Sequence, residues 1–581
     1  MKKRLTLAKA GVMLVPLLSI SACEGDSVVA SGPDTIVINA TVYPDASSGS
    51  VAEGFAITES KISAIGDVAT ISALATEDTA VVDLGGATVF PGLLDAHSHP
   101  VWGGRKLLYE CNFPFSATPE ELAKTIGECS ADDSAPEWIV GGQWDSNFFV
   151  DNDISSPREF LDAVSHGHPV VLSDDSGHHS WANTKALQLS GIAGADAEDP
   201  EGGEIVRDAA GVPNGILLEY ASKLVESNIP PYSHEQTVAA IAAVSEIANR
   251  FGLTAFAEAR TDVPELDAYA DADQKGLLTV RALLYQQSFS LEVPAGSELP
   301  VSDYIARAEE YQSPNIDARA IKFFLDGVPT ASRTAMMIEA YTTDANHSNG
   351  GHGTQMIPTD SLFDSVSAFD AADFRIKIHT AGDGSVRLAL DAIEGARKAN
   401  GPGHAVTLAH AGYVSDADIP RFKSLGAAAD FSPYLWYPRP IINSVIQAVG
   451  EPRGSKYWPT KDLLAAGATL VAGSDWPSAA IDINPWPAIE SLVTRKHYNN
   501  ASDETFWAEQ AISLDDALTL WTSEAAEVMG LSAVAGSLAV GKSADFIVLP
   551  IDPHRSDIEA VSDIVPEQTW FRGERVTSAQ D

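Results

Sequence analysis

The chain has 581 residues, 45% of them hydrophobic, with 44 glycines and 33 prolines, a folded-protein composition that excludes a disordered or fibrous chain. Its formal net charge of −43 excludes electrostatic partnership with nucleic acid or anionic lipid, since both would repel so acidic a surface. The length allows one large domain with attachments and a deep core.

At the start, Lys2, Lys3, Arg4 and Lys9 precede the apolar run Ala10–Ile20, which ends in Ile20-Ser-Ala-Cys23. Eleven apolar residues fall short of the roughly 20 that span a bilayer, so the segment reads as a secretory signal. It resembles a bacterial lipoprotein signal, which implies removal of residues 1–22, a lipid on Cys23 and a short tether over 23–33. The expected location is then the periplasmic side of a bacterial membrane, held there only by acyl chains. Losing those four cations takes the mature charge to −47. Cys111 and Cys129 remain. In an oxidising compartment they pair, worth roughly 3 kcal/mol, or they stay as buried thiols; the sequence leaves both open.

Short β-like runs with Gly and Asp turns fill 34–88 and return over 535–577, which predicts one small β-sandwich assembled from both chain ends. Between them, 89–534 alternates apolar strand-like runs with helical stretches. Strand candidates begin at Val89–Leu94 and continue at Gly252–Ala257, Thr279–Leu284, Ala318–Leu325 and Phe374–Ile378. Three more, Ala405–Ala409, Ala427–Phe431 and Ala468–Ala472, bring the count to eight, the number that closes a (β/α)8 TIM-like barrel of the α/β class. The gap after the first strand is too long for one crossover, so 105–245 is expected to contain an inserted subdomain.

Chemistry in such barrels sits at the carboxyl ends of the strands. The first run ends in Asp95-Ala-His97-Ser-His99, and residues i and i+2 of a strand share a face, so both imidazoles leave in one direction. Lys322 lies in the fourth run, His379 follows the fifth, His410 the sixth and Asp475 the eighth. Singly, each has a structural explanation: a capping aspartate, a hydrogen-bonded histidine, a snorkelling lysine. As an ordered set they make a divalent-metal site. An ammonium would repel the ions, so a buried Lys322 is expected as the neutral amine, which adds CO2 to form a carbamate long enough to bridge two cations.

These residues, with the Ala544-Asp-Phe-Ile-Val-Leu549 tail, resemble the amidohydrolase (urease-related) superfamily. The likeness is nearer still to its N-substituted formamide deformylase-like branch, over Asp34 to about Thr577. It runs through Gly177-His-His-Ser-Trp181, Lys322-Phe-Phe-Leu-Asp-Gly327, Ser332-Arg333, His379-Thr-Ala-Gly-Asp383 and Gly473-Ser-Asp-Trp-Pro477. The resemblance implies that His97, His99 and Asp475 hold one metal and that His379 and His410 hold a second. Carboxylated Lys322 and a hydroxide would bridge the pair. Zinc fits imidazole and carboxylate best, with manganese, iron and nickel left open. The implied reaction is attack of a metal-bound hydroxide on the C–N bond of an amide, formamide or N-acyl compound, Asp475 taking and returning the proton. One departure bears on substrate rather than on metal: many members of the branch have Gln-Pro and a histidine two residues on, where this chain has Ser432-Pro-Tyr-Leu-Trp436-Tyr437.

Loop aromatics gather near the expected strand ends. They either line a pocket for an apolar, aromatic small-molecule substrate or pack the insertion onto the barrel. His178, His179, Trp181, Arg333 and Trp436 are the candidate substrate contacts, and a homodimer is an allowed assembly. Two rival readings remain: an esterase, lactonase or isomerase on the same site, and a non-catalytic binding lipoprotein. The latter predicts loss of a ligand, and all six are present.

Overall fold

The computed structural model describes residues 32–578, apart from 47–48, 132–136, 146–147, 201, 290–298, 344–349, 437–439, 479, 481 and 499–503. The expected signal over 1–22, Cys23 and most of the tether lie outside the described residues. No helix among the described residues is long and apolar enough to cross a membrane.

One eight-stranded parallel sheet organises the chain. Its strands are β1 (Leu93–Ser98), β2 (Leu253–Thr261), β3 (Arg281–Gln287) and β4 (Ile316–Phe324), then β5 (Arg375–Thr380), β6 (Val406–His410), β7 (Ala427–Phe431) and β8 (Thr469–Ala472), each beside the next. This is the TIM-like barrel expected from the sequence. The strands are buried almost throughout, on both faces, with polar and charged residues in several of them. Leu94, Ala255, Ala257, Leu283, Ala428 and Val471 fill the interior, where each fully buried large side chain contributes about 1.5–3 kcal/mol. At the seam between β8 and β1 the Asp475 N–H donates to the His97 carbonyl at 2.7 Å, and the Ser474 N–H to Asp95 Oδ1 at 3.1 Å. That approach requires glycine at 473, where a Cβ would lie 2.4 Å from the His97 nitrogen.

The first strand differs from expectation. The run Val89–Leu94 is divided: Thr88–Pro91 pairs with Phe546–Leu549 in a separate sheet, and the barrel strand starts at Leu93. The chain changes sheets at Gly92, where a Cβ would meet the Thr254 hydroxyl at 2.3 Å. His97 therefore sits inside β1, and His99 caps the following helix, α1 (Pro100–Tyr109), whose proline at the first helical position ends the extended run.

Both chain ends supply the smaller sheets. Strands Thr35–Ile38, Gly54–Thr58, Lys61–Gly66 and Ala80–Asp83 form one. Thr41–Val42, Thr88–Pro91, Phe546–Leu549, Gln568–Phe571 and Glu574–Ser578 form the other. Val37, Phe55, Val89, Phe546 and Val548 bury one core between them.

A six-stranded sheet follows α1, with Cys111–Asn112, Ile139–Trp144, Val170–Asp174, His179–Ala182, Pro213–Glu219 and Gly203–Arg207 side by side in that order. The inserted sheet thus occupies less than 105–245, because α1 and α2 (His234–Arg250) pack on each other as helices of the barrel layer. Cys111 and Cys129 form a disulfide, Cα to Cα 6.1 Å, joining an edge strand to the end of helix Pro119–Cys129.

Candidate metal centre

β1 brings two imidazoles to the barrel mouth. His97 is fully buried; its Nδ1 shares a 2.8 Å hydrogen bond with Asp430 Oδ2, leaving Nε2 buried without a hydrogen-bond partner. His97 Nε2 and His99 Nε2 lie 3.6 and 3.5 Å from Asp475 Oδ1. These gaps are long for hydrogen bonds but match the roughly 3.3–3.6 Å between neighbouring donors that hold a cation at about 2.0–2.2 Å in a tetrahedron. Among the described residues, these three are the one group of three or more histidines, cysteines or acids with ligand atoms all within 4.8 Å of one another. An orphaned buried nitrogen beside a carboxylate is a place a divalent cation fits.

The arc continues across the mouth. The His410 ring lies 5.0 Å from that of His97 and 4.7 Å from that of His379. His379 Nδ1 hydrogen-bonds Asp326 Oδ1 at 2.9 Å, while His410 Nδ1 is buried, unpartnered and 3.9 Å from Asp475 Oδ2. His410 has φ +71° and Asp475 φ +56°, both in the left-handed region that costs a non-glycine residue about 1–3 kcal/mol and that clusters at functional sites. Lys322 is buried on the same cavity wall, its Nζ 4.8 Å from the Phe324 ring centre.

Electrostatics favour neutral donors. Burial, then Lys377 and Lys322, hold the His97 imidazole well below its ordinary range; burial, then the neighbouring His379, do the same to His410. His379 is lowered by burial against the pull of Asp326. At His99 burial is outweighed by Asp475 and Glu258, which raise it; a cation binding there would expel the proton. Burial, reinforced by Lys377, brings the Lys322 ammonium down to about 7.

The carboxylates behind the imidazoles were not singled out from sequence. Asp430 takes His97 Nδ1 and the Lys377 ammonium, which also donates to the Ala96 carbonyl at 2.9 Å. Asp326 accepts from Ser385 Oγ at 2.6 Å, from the Gly382 N–H at 3.0 Å and from the Met336 N–H at 2.9 Å besides holding His379. The available signal was a charge inside an apolar barrel strand, Asp430 in Ala427–Phe431 and Lys377 in Arg375–Thr380, since a buried charge persists only when paired.

A cavity of about 720 Å³ opens over the centre. His99, Lys322, His379, His410 and Asp475 form its floor; Phe324, Leu435, Ile441, Ile442, Val445 and Trp458 make an apolar wall. Of the expected substrate contacts, His178 lines this cavity. His179 is buried behind it on Asp174, 2.7 Å from Nδ1. Trp181 is instead fully buried in the core of the insertion, with Trp144, Phe148 and Phe149 around it and its Nε1 donating to the Pro157 carbonyl. Arg333 stays outside the described cavity lining, within 3.5 Å of the Thr342 hydroxyl. The Trp436 side chain lies outside the described residues. The expected aromatic loops thus divide: Trp102 and Trp458 line the cavity, while the insertion's own rings serve packing.

Comparison with known proteins agrees with this architecture. A family model described as the Amidohydrolase family matches residues 80–577. Protein LONG AFTER FAR-RED 3 of Arabidopsis thaliana is 28% identical over 534 residues, 89% of this chain and 87% of that protein. An N-substituted formamide deformylase of Arthrobacter pascens is 26% identical over 528 residues, 90% of this chain and 94% of that enzyme. The crystal structure of an uncharacterized metal-dependent hydrolase from Pyrococcus furiosus shares the fold, with TM-score 0.66 and 22% identity over 89% of this chain and 99% of that one. The family match spans barrel, insertion and the returning sheet, and on it this chain belongs to the Amidohydrolase family and is a hydrolase whose donors suit a divalent metal.

Proposed function

We propose that the protein cleaves a C–N bond in an amide, formamide or N-acyl compound. The single observation behind this reading is the His97, His99 and Asp475 group at the barrel mouth, its Nε2 of His97 buried and unpartnered. The similarity to a formamide deformylase supports the choice of bond.

On this reading His97, His99 and Asp475 would hold one cation, and His379 and His410 would hold a second, with zinc the best match to such donors. Lys322, its ammonium brought down to about 7 by burial, has a sizeable share of neutral amine at neutral pH, and a carbamate formed on it would supply an anionic donor. Cations held there would supply Lewis acidity toward a carbonyl oxygen and toward water at neutral pH. Asp475 does the proton work: one oxygen faces the β1 histidines, the other faces His410, and a carboxylate so placed takes a proton from water and returns it to the departing nitrogen. Asp430 and Asp326 fix the His97 and His379 rings by their Nδ1 atoms. The wall from Leu435 to Trp458 excludes water from one side of the cavity and receives an apolar group of the substrate. We also propose export, removal of residues 1–22 and lipid attachment at Cys23 on the periplasmic side.

Elemental analysis of the purified mature protein, with an activity screen over N-formyl and N-acyl amines and matching esters, tests the assignment. Two equivalents of metal with amine release are expected. A metal-free protein inert to every amide would overturn it.

A further inference from the structure

The inserted sheet reaches the centre around His178. The Ser176 carbonyl accepts from Ser478 Oγ at 3.1 Å, three residues beyond Asp475. Gly177 lies against Trp102, whose ring a Cβ would meet at 2.7 Å. Glu219 Oε1 accepts from Thr334 Oγ1 at 2.6 Å, in the loop after β4. Between these anchors His178 enters the cavity, its ring centre 5.1 Å from that of His379.

His178 resembles the metal-facing histidines in one respect and differs in another. Its Nδ1 is held by a buried carboxylate, Glu219 Oε2 at 2.9 Å, just as His97 is held by Asp430. In the neutral imidazole a carboxylate at Nδ1 selects the tautomer with the proton on Nδ1 and the lone pair on Nε2. Like His379 and His410, His178 stands outside the His97, His99 and Asp475 group; what separates it from all four histidines is that it comes from the inserted sheet, beside the strand His179–Ala182, and not from a barrel strand end. No described residue hydrogen-bonds its Nε2, and that atom is not among the buried unpartnered ones. Glu219 is 1% exposed with φ +50° and ψ −123°, a strained backbone for a non-glycine residue at the point where the insertion meets the barrel.

We infer that the insertion completes the active site: His178 is a catalytic residue whose Nε2 accepts a hydrogen bond from the N–H of the scissile amide, and Glu219 is its positioning residue. The inference rests on the proposed C–N hydrolysis and narrows it to amides that keep an N–H, because an ester or a tertiary (N,N-disubstituted) amide has none to offer. A site that hydrogen-bonds a substrate N–H rejects the analogue lacking it far more strongly than an apolar pocket rejects a methyl group.

Formanilide and N-methylformanilide are the probes, measured on the metal-loaded full-length protein, on His178→Asn, on Glu219→Gln and on the double variant. The parent is expected to prefer formanilide by on the order of 10²-fold or more in kcat/KM. His178→Asn should erase most of that preference through formanilide alone, with metal per chain and melting temperature unchanged. Glu219→Gln should lower formanilide turnover about tenfold and add nothing in the His178→Asn background, the signature of two residues acting as one. If His178→Asn does not fold, His178→Gln takes its place. An unchanged preference in the folded variant, or loss of metal from it, would overturn the inference while C–N hydrolysis stood. If the parent hydrolyses neither probe, the proposed function is judged by the wider amide screen and the contact by binding. Calorimetry then decides: tighter binding of formanilide, lost in His178→Asn, supports the contact, and equal binding of both probes by the parent refutes it.

Discussion

The two halves of the candidate metal centre are held differently. His97, His99 and Asp475 bring two imidazoles against a carboxylate at 3.5–3.6 Å, so the first half already has the charge a cation needs. His379, His410 and Lys322 bring two imidazoles and an amine, all lowered by burial. Asp475 approaches that half only to 3.9 Å, at His410 Nδ1. The first half is therefore preorganised for an ion, whereas the second lacks an anion of its own. A carbamate on Lys322 would supply it, which makes the second ion conditional on a modification and the first independent of it.

Asp475→Asn carries the largest expected effect. Asparagine keeps an oxygen donor but cannot shuttle a proton, so kcat should fall on the order of 10³-fold while bound metal stays near the parent value. Unchanged turnover would remove Asp475 from the proton step and leave the first half a purely metal-holding element. Lys322→Ala comes next: metal should fall from two equivalents to one, with kcat down on the order of 10²-fold. Two retained equivalents would mean that the halves are equal and that no bridging anion is needed.

The barrel and the residues at its mouth were legible because a strand end leaves a local mark: an apolar run followed by a histidine or aspartate. His379, His410 and Asp475 could be placed by that rule alone. The exception was β1, where one apolar run served two sheets and only the close approach at Gly92 shows the division. The supporting carboxylates were not legible in the same way. Asp430 lies 333 residues from His97, and Glu219 reaches His178 from a neighbouring strand. Pairings of that kind are decided by register and closure, which leave no local pattern. Trp181 was misplaced for a related reason. Lying two residues from His179 on a strand, it shares that residue's face, but an aromatic ring in a loop-rich insertion is stabilised equally by a core of its own rings.

Asp430→Asn and Asp326→Asn test the comparison one shell out. Loss of a carboxylate behind a ligating histidine typically lowers metal affinity about 10–100-fold. Asp430→Asn should therefore weaken the first-half ion and Asp326→Asn the second, read as separate steps in a chelator titration followed by metal analysis. Both variants should also lose stability, because Asp430 pairs the buried Lys377 and Asp326 caps the Ala381 and Gly382 N–H groups. If either variant weakens both ions alike, the halves form one coupled unit.

Glu258→Gln carries the smallest expected effect and asks whether the first half has one backing carboxylate or two. Glu258 Oε1 stands 3.7 Å from His99 Nδ1, beyond hydrogen-bond reach, while Oε2 accepts from the Val101 N–H at 2.9 Å and from the Tyr269 hydroxyl at 3.1 Å. A glutamine oxygen keeps both of those bonds, so its cost is confined to the charge felt by His99. First-half affinity should then change by no more than about threefold, far less than the loss expected behind His97. A tenfold or greater loss would show that the ion draws His99 onto Glu258 as it binds. The preorganisation credited to the first half would then belong to His97 and Asp475, with His99 joining only in the loaded state.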